Sequence, residues 1–287
     1  MSGKTAFSIT KLALCQVQTE QWHVEGNLER TLRALDAAGT LGAQIAVTPE
    51  CVLHGYGEGG APDYARRMLE VAEPLDGPHF GAVREKAAEH EMDVVFGFAE
   101  RGEGENVHNS AAFISRDGDV AAVYRKVHCR PFESTEHQGR FVPGERFEMV
   151  ERDYAKIGLM ICFDREIPES VRCLRALGSE LVACPLATGT TDLTRHLNRA
   201  HNEMITRARA AENEVFIAVI NHAGRFNGGS FVVGPMGEML CQMASAAGVK
   251  VVDVPVGVVR EKFHANPLGW MGWGHRREHV YRKHIGS

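Results

Sequence analysis

The sequence predicts one domain of mixed α and β layers, with strands toward the middle and helices outside. Three observations predict it. Strand-like and helix-like segments alternate along most of the 287 residues, as layered α/β architectures require. No linker, composition shift or short-period repeat divides the chain. Hydrophobic residues make up 44% and charged residues 24%, an ordinary balance for a chain that buries a core. Pattern alone leaves open whether the strands form one sheet or two.

Ile9 to Val17 is apolar and β-rich, a buried strand. Gly26 to Leu41 follows with Leu28, Leu32 and Leu35 on one helical face. Gln44 to Thr48 is a short strand stopped by Pro49, and the glycine-rich stretch Cys51 to Asp63 is a loop. Helices are expected over 62–72 and 77–90, then strands over Asp93–Ala99, Ser110–Ser115 and Val120–Arg125, the last two joined at Asp117-Gly118. The second half repeats the alternation: strand Lys156–Ile161, helix Pro168–Leu177, strand Glu180–Cys184, helix Arg195–Glu212 and strand Val215–Asn221. Ser230–Val233, Glu238–Cys241 and Lys250–Val254 form a closing meander.

A formal net charge of −5 argues against a nucleic-acid partner. The basic run from Arg276-Arg277 to Lys283-His284 reads as a solvated tail. No apolar run approaches the roughly 20 residues of a bilayer crossing, and no secretory h-region precedes the first strand. Seven thinly spread cysteines are an odd number, which suits reduced thiols and a cytoplasmic location.

Three residues at strand ends carry the chemistry. Cys162 ends the apolar run Ile157–Ile161 and precedes Pro168, a residue suited to a helix's first turn. A cysteine on such a strand-to-helix turn feels the positive end of a helix dipole, which is expected to lower its pKa. Cys15, Cys51, Cys173, Cys184 and Cys241 lie in or beside apolar segments and read as core. Glu50 follows Val47-Thr48-Pro49, where a buried strand gives way to a loop, and Lys126 closes the strand ending at Arg125. Each alone has a bland reading, a surface acid or a solvent-facing lysine. Together they supply what cysteine attack on a carbonyl needs: a nucleophile, a carboxylate base, and an ammonium beside the Phe163 N–H for the oxyanion.

At these residues the chain resembles the carbon–nitrogen hydrolase (nitrilase) superfamily. VTPEC at 47–51 with HGY at 54–56 resembles its P-E-x-x-x-x-G-Y block, YRKVH at 124–128 its Y-R-K-x-H block, and GLMICFDREIPE at 158–169 its G-x-x-I-C-x-D-x-x-x-P-E block. The opening ALCQVQ, the run RARAAENEVFIAVIN at 207–221 and the GPMGE turn at 234–238 extend the likeness to about residue 255. The resemblance implies a four-layer α-β-β-α sandwich with two central sheets, no metal or organic cofactor, and homodimers or larger homo-oligomers. It implies Glu50 as base, Lys126 as oxyanion stabiliser and Cys162 as nucleophile, with Asp164 and Glu169 orienting the turn. A second glutamate is implied before the turn Phe141-Val142-Pro143-Gly144; Glu136 is favoured over Glu133 by its distance to that turn.

Phe163-Asp164 follows the nucleophile where nitrile hydrolysers of the superfamily tend to carry Trp-Glu, so the resemblance favours small amides or N-carbamoyl (ureido) compounds over nitriles. Phe163 and Arg165 are the expected substrate-binding residues. Arg165 is read at the pocket lip, facing a substrate carboxylate or closing on Glu166 or Glu169.

Other readings are weaker. Gly55 to Gly60 matches G-x-G-x-x-G but neither follows a strand at once nor opens an apolar helix. His201-Asn202-Glu203 lacks the P-C-x-x-C of a zinc deaminase, and there is no H-E-x-x-H, C-x-x-C or G-x-S-x-G. Acyl transfer and a silent binding module on the same fold remain alternatives. The whole chain, 1–287, reads as one domain, with 257–287 a tail whose Phe263, Trp270, Met271 and Trp273 are expected at an oligomer interface.

Overall fold

The computed structural model describes residues 7–56, 63–135, 140–189, 195–265 and 272–285. Its strands follow the alternation in the sequence. They are β1 (Thr10–Gln16), β2 (Ile45–Val47), β3 (Asp93–Arg101), β4 (Val107–Ile114), β5 (Val120–Arg125), β6 (Glu148–Glu151), β7 (Lys156–Leu159), β8 (Leu181–Pro185), β9 (Phe216–Ile220), β10 (Phe231–Val233), β11 (Met239–Gln242) and β12 (Gly248–Val254). Two six-stranded sheets result, ordered β12-β1-β2-β3-β4-β5 and β11-β10-β9-β8-β7-β6. The chain builds the first sheet, crosses to the second, and returns at its end to pair β12 antiparallel with β1.

The core explains why the strands read as unbroken apolar runs. Leu12 and Leu14 of β1 join an inter-sheet core with Ile157, Leu159, Val182 and Val219. The alternate residues Ala13 and Cys15 face a separate core, with Phe80, Val83, Phe96 and Phe98. A strand with an apolar layer on each face has no polar side, so period-2 alternation disappears. Helices α1 (Val24–Thr40), with Leu35 buried, and α3 (Pro78–Glu89) cover the first sheet; α2 (Tyr64–Val71) lies between them in sequence. Helices α4 (Pro168–Ala176) and α5 (Arg195–Asn213) cover the second. This is the four-layer α-β-β-α sandwich.

Two differences from the sequence reading bear on function. β3 and β4 run past their apolar stretches, to Arg101 and back to Val107. The polar ends carry Glu100 and Asn109, both buried. β6 was not anticipated: Glu148-Met149-Val150-Glu151 is an edge strand, and edges are where charged residues displace the β signature.

The tail packs at least partly on its own chain. Phe263 is buried, and Trp273 lies under two guanidinium groups, Arg175 of α4 at 4.6 Å and Arg276 at 4.2 Å. Trp270 and Met271 lie outside the described residues. Among the described residues no helix is long and apolar enough to cross a membrane.

Candidate active site

Glu50 is held between the two sheets. Its loop hangs from the first, where Thr48 N–H donates to the Val95 carbonyl (3.0 Å) and Val52 N–H to the Gly97 carbonyl (2.9 Å). A β-carbon at Gly97 would collide with the Pro49 carbonyl, so a glycine is required for this approach. The second sheet holds the other side: Glu50 N–H reaches the Leu186 carbonyl at 3.4 Å. His222 meets the Glu50 carbonyl at 2.7 Å through Nε2. A carbonyl only accepts, so Nε2 carries the hydrogen and Nδ1 accepts from the Thr19 hydroxyl at 2.8 Å. Burial pushes the His222 pKa down to about 3, which keeps this link neutral.

The Glu50 carboxylate is used on one side only. Oε1 accepts from Asn109 Nδ2 at 2.7 Å and from Lys126 Nζ at 2.8 Å. Oε2 is buried and has no partner. Burial raises the Glu50 pKa, the neighbouring Glu133 charge adds to it, and Lys126 and Asn109 only partly offset them. Asn109 ties the site together further, accepting from Cys51 Sγ at 3.4 Å with its side chain and from Lys126 N–H at 2.8 Å with its carbonyl.

Lys126 is fully buried between two carboxylates. Nζ donates to Glu50 Oε1 and to both oxygens of Glu133, at 3.0 and 2.8 Å. Burial alone would lower its pKa; Glu133 and Glu50 reverse that and hold it well above the ordinary lysine value. Glu133 also accepts from the Tyr56 hydroxyl at 2.5 Å and the Arg130 N–H at 2.7 Å. Burial pushes Glu133 up, but Lys126, Tyr56 and the Arg130 N–H outweigh it, and its pKa is lowered. The carboxylate beside the lysine is thus Glu133. Glu136 lies outside the described residues.

Cys162 stands where β7 and its extension end. Ile161 is extended, Cys162 takes a positive φ of 46°, and a short 3₁₀ turn runs from Cys162 to Glu166 before Pro168 opens α4. A non-glycine residue at positive φ is strained, and such strain collects at functional turns. Asp164 pins the turn to the lysine segment: its carboxylate accepts from Ile161 N–H (3.0 Å), the Tyr124 hydroxyl (2.7 Å), and His128 N–H and Nδ1 (both 2.9 Å). These bonds hold Tyr124 and His128 toward the turn. Arg209 of α5 caps the turn from behind, donating to the carbonyls of Arg165 and Glu166 at 3.1 and 3.0 Å. Glu169 is exposed in the first turn of α4.

The expected low thiol pKa is corrected by the site. Burial, then the Glu50 charge, raise the Cys162 pKa well above 9.0; Lys126 and Arg165 pull it down, and Glu133 adds to the rise. Only a five-residue 3₁₀ turn starts at Cys162, while α4 begins at Pro168, so the helix dipole is too short and too far to prevail. Burial and the adjacent carboxylates favour the neutral thiol over the thiolate.

Phe163 is half-buried beside the nucleophile. Arg165 is not at an open lip: it is 1% exposed, donates to Asn202 Oδ1 at 2.7 Å and lies 3.9 Å from Glu166. Its Nε and Nη1 have no partner. Asn202 and Leu186 also line a pocket that borders the site, with Phe226, whose ring lies tilted against that of His222 with centroids 4.7 Å apart. Asn109, Tyr56 and His222 were not identified as site residues from sequence. Tyr56 stands in the glycine-rich loop of the Glu50 block, where a side chain's partner is set by the path of the loop in space and not by local pattern.

Among the described residues, one group of acid and imidazole side chains converges closely enough to share an ion, Asp36, Glu89 and His90. Lys86 already sits there, 2.8 Å from both Asp36 and Glu89, and fills the place of a cation. His201 instead meets Glu166 at 3.3 Å on the surface.

Residues 11–262 match the carbon–nitrogen hydrolase family. An (R)-stereoselective amidase of a Pseudomonas species is 34% identical over 237 residues, 80% of this chain and 79% of that protein. The omega-amidase of Bos taurus is 28% identical over 262 residues, 88% of this chain and 90% of that protein. Among solved structures, the amidase from a Nesterenkonia species has a TM-score of 0.75 at 26% identity, covering 98% of this chain and 99% of that one. A variant of that amidase with the acetamide moiety of fluoroacetamide on its active-site cysteine has a TM-score of 0.76 at 26% identity, covering 97% of each chain. The buried carboxylate, lysine and strained cysteine thus stand in a known setting: the chain belongs to the carbon–nitrogen hydrolase family and is a cysteine-dependent amidohydrolase.

Proposed function

We propose that the chain hydrolyses small primary amides or N-carbamoyl compounds and releases ammonia through a thioester on Cys162. The observation that carries this is the buried, unpartnered Oε2 of Glu50. A general base needs a free lone pair and a pKa poised by burial, and this oxygen has both.

Glu50 takes the Cys162 proton as sulfur bonds to the carbonyl carbon. The oxyanion forms at the Phe163 N–H and the Lys126 ammonium, whose charge Glu133 keeps in place. Protonated Glu50 then gives its proton to the departing nitrogen, the C–N bond breaks, and ammonia leaves. Water attacks the thioester next, giving its proton to Glu50, and the thiol is restored as the acid departs. With an N-carbamoyl substrate the departing nitrogen is that of the amine, and the carbamoyl thioester left on Cys162 is hydrolysed to carbamic acid, which decomposes to ammonia and carbon dioxide. Phe163 contacts the bound substrate, and Arg165 lends positive charge behind the sulfur. A free nucleophilic thiol suits a reducing compartment such as the cytoplasm.

The test is ammonia release from simple amides, N-carbamoyl amino acids and nitriles, with wild type and Cys162→Ala in parallel. Release from an amide or carbamoyl compound, reduced at least about 10⁴-fold in the variant, supports the proposal. Release from nitriles alone would place the chain with nitrile hydrolysers. Equal rates in both proteins would remove Cys162 from the mechanism.

A further inference from the structure

We propose that His222 is a positioning residue for catalysis, whose ring sets the place of the base Glu50 relative to the nucleophile Cys162. This rests on the amide-hydrolysis reading above and deepens it. Base and nucleophile stand on different sheets. The Glu50 loop hangs from β3 of the first sheet. Both donors to its carboxylate are first-sheet groups, Asn109 of β4 and Lys126 just beyond β5. Cys162 follows β7 of the second sheet. A misplacement of about 1 Å can cost about 10²-fold in rate, so proton transfer between the two needs the sheets tied at this point.

His222 makes that tie. β7 pairs in parallel with β8, and β8 with β9, and His222 stands just beyond the end of β9. One ladder therefore fixes it relative to the strand that carries Cys162. The other bond from the second sheet, Glu50 N–H to the Leu186 carbonyl, is long at 3.4 Å. The histidine reaches the Glu50 carbonyl at 2.7 Å, and the shorter bond is the stronger constraint. The ring is itself held. The Thr19 hydroxyl meets Nδ1 at 2.8 Å, and the Phe226 ring lies against it in a fully buried place.

The base loop is strained and needs such a clamp. Cys51 and Tyr56 take positive φ values of 50° and 47°, which non-glycine residues keep only where their surroundings enforce them. The segment after β9 supplies contacts at both ends of this stretch. His222 holds the Glu50 carbonyl, and Arg225 Nη2 donates to the carbonyls of Gly55, at 2.9 Å, and Tyr56. Tyr56 is also the hydroxyl donor to Glu133. A neutral imidazole suits the task, because it fixes the backbone without placing a charge beside the carboxylate that must exchange a proton.

The experiment measures kcat and KM for His222→Leu, His222→Gln and Thr19→Val, with the compound of the ammonia-release panel that wild type hydrolyses fastest. His222→Leu and Thr19→Val are repeated in a Glu50→Gln background. His222→Leu is expected to lower kcat about 10- to 10²-fold, the scale of a misplaced group, with KM within about threefold of wild type. His222→Gln keeps a donor for the Glu50 carbonyl and is expected to restore kcat to within about fivefold. With the base removed there is nothing left to position, so His222→Leu should cost less than about threefold in the Glu50→Gln protein. Thr19→Val leaves the ring in place and frees Nδ1; it should show the same pattern more weakly, about fivefold with Glu50 and under about twofold without it. It carries the test where His222→Leu does not fold. Equal costs in the two backgrounds, a loss carried by KM alone, or a kcat that glutamine does not restore would each overturn this proposal and leave the amidase reading standing. Hydrolysis of no compound in the panel by wild type would overturn the amidase reading itself, and this proposal with it.

Discussion

Glu50 and Glu133 flank the same ammonium, yet their protons are held in opposite ways. Glu50 lies on a bridge between the sheets and accepts two hydrogen bonds, both at Oε1. Glu133 lies in the loop after the lysine, and both its oxygens are satisfied, by Lys126, Tyr56 and the Arg130 N–H. Burial pushes up both, but only Glu133 receives enough donors to reverse it. On the proposed mechanism this difference separates their roles: Glu133 holds Lys126 in place, and Glu50 exchanges the proton. Two like carboxylates in one site are distinguished by their hydrogen bonds, a general way to obtain an acid–base pair.

The largest way to break this comparison is Glu50→Gln. It keeps the contact to Lys126 and removes the base, so kcat is expected to fall about 10² to 10⁴-fold in an ammonia-release assay. Retention of most activity would show that another group takes the thiol proton.

Glu133→Gln should cost about 10²-fold in kcat, the scale of a weakened oxyanion stabiliser. It also carries a sharper signature. The Glu133 charge helps hold the Glu50 pKa up, and Glu50 must be ionised to act. Activity therefore rises with pH through the Glu50 pKa, and this acid limb of kcat/KM should move to lower pH in the variant. A limb that stays in place would mean that Glu50 is not the titrating group.

Stability gives an independent reading of the same pair. Glu133 is lowered from 4.5 on folding, so its stabilisation is present above that pH and lost as pH falls through the folded value. Glu50 is raised from 4.5, so its contribution is present below that pH and lost as pH rises through the folded value. Urea unfolding across this range should show the Glu50 loss in wild type and not in Glu50→Gln.

Tyr56→Phe is the mildest change. It removes one of the donors to Glu133 and leaves the others, so stability should fall by about 1.5 to 3 kcal/mol, the scale of a hydrogen bond to a charged group. Denaturant midpoints would measure it, and a loss below about 0.5 kcal/mol would show that the hydroxyl adds little.

How much of this was legible depends on where each residue stands. Cys162, Glu50 and Lys126 were readable because each ends an apolar run, and strand ends are where open sheets gather polar groups. Asn109 was hidden by the same rule: it lies in a polar continuation of β4, and local apolarity does not report on a strand held by its neighbours. Sequence distance to the 141–144 turn favours Glu136 over Glu133. The fold selects Glu133 as the partner of Lys126 by a tight turn, in which Glu133 N–H donates to the Arg130 carbonyl at 2.8 Å and its own carbonyl accepts from Arg140 and Phe141.

By itself the sequence determined the alternation of strands and helices, the fully buried strands, and the three residue types at their ends, because periodicity and apolar runs are local properties. The number of sheets came only with the family likeness. Tertiary structure alone decided which glutamate meets Lys126, in which direction the thiol pKa is pushed, and which arginines are enclosed. Those depend on burial and on charges brought together from residues 50, 126, 133 and 162, and the field at a side chain is set by neighbours in space.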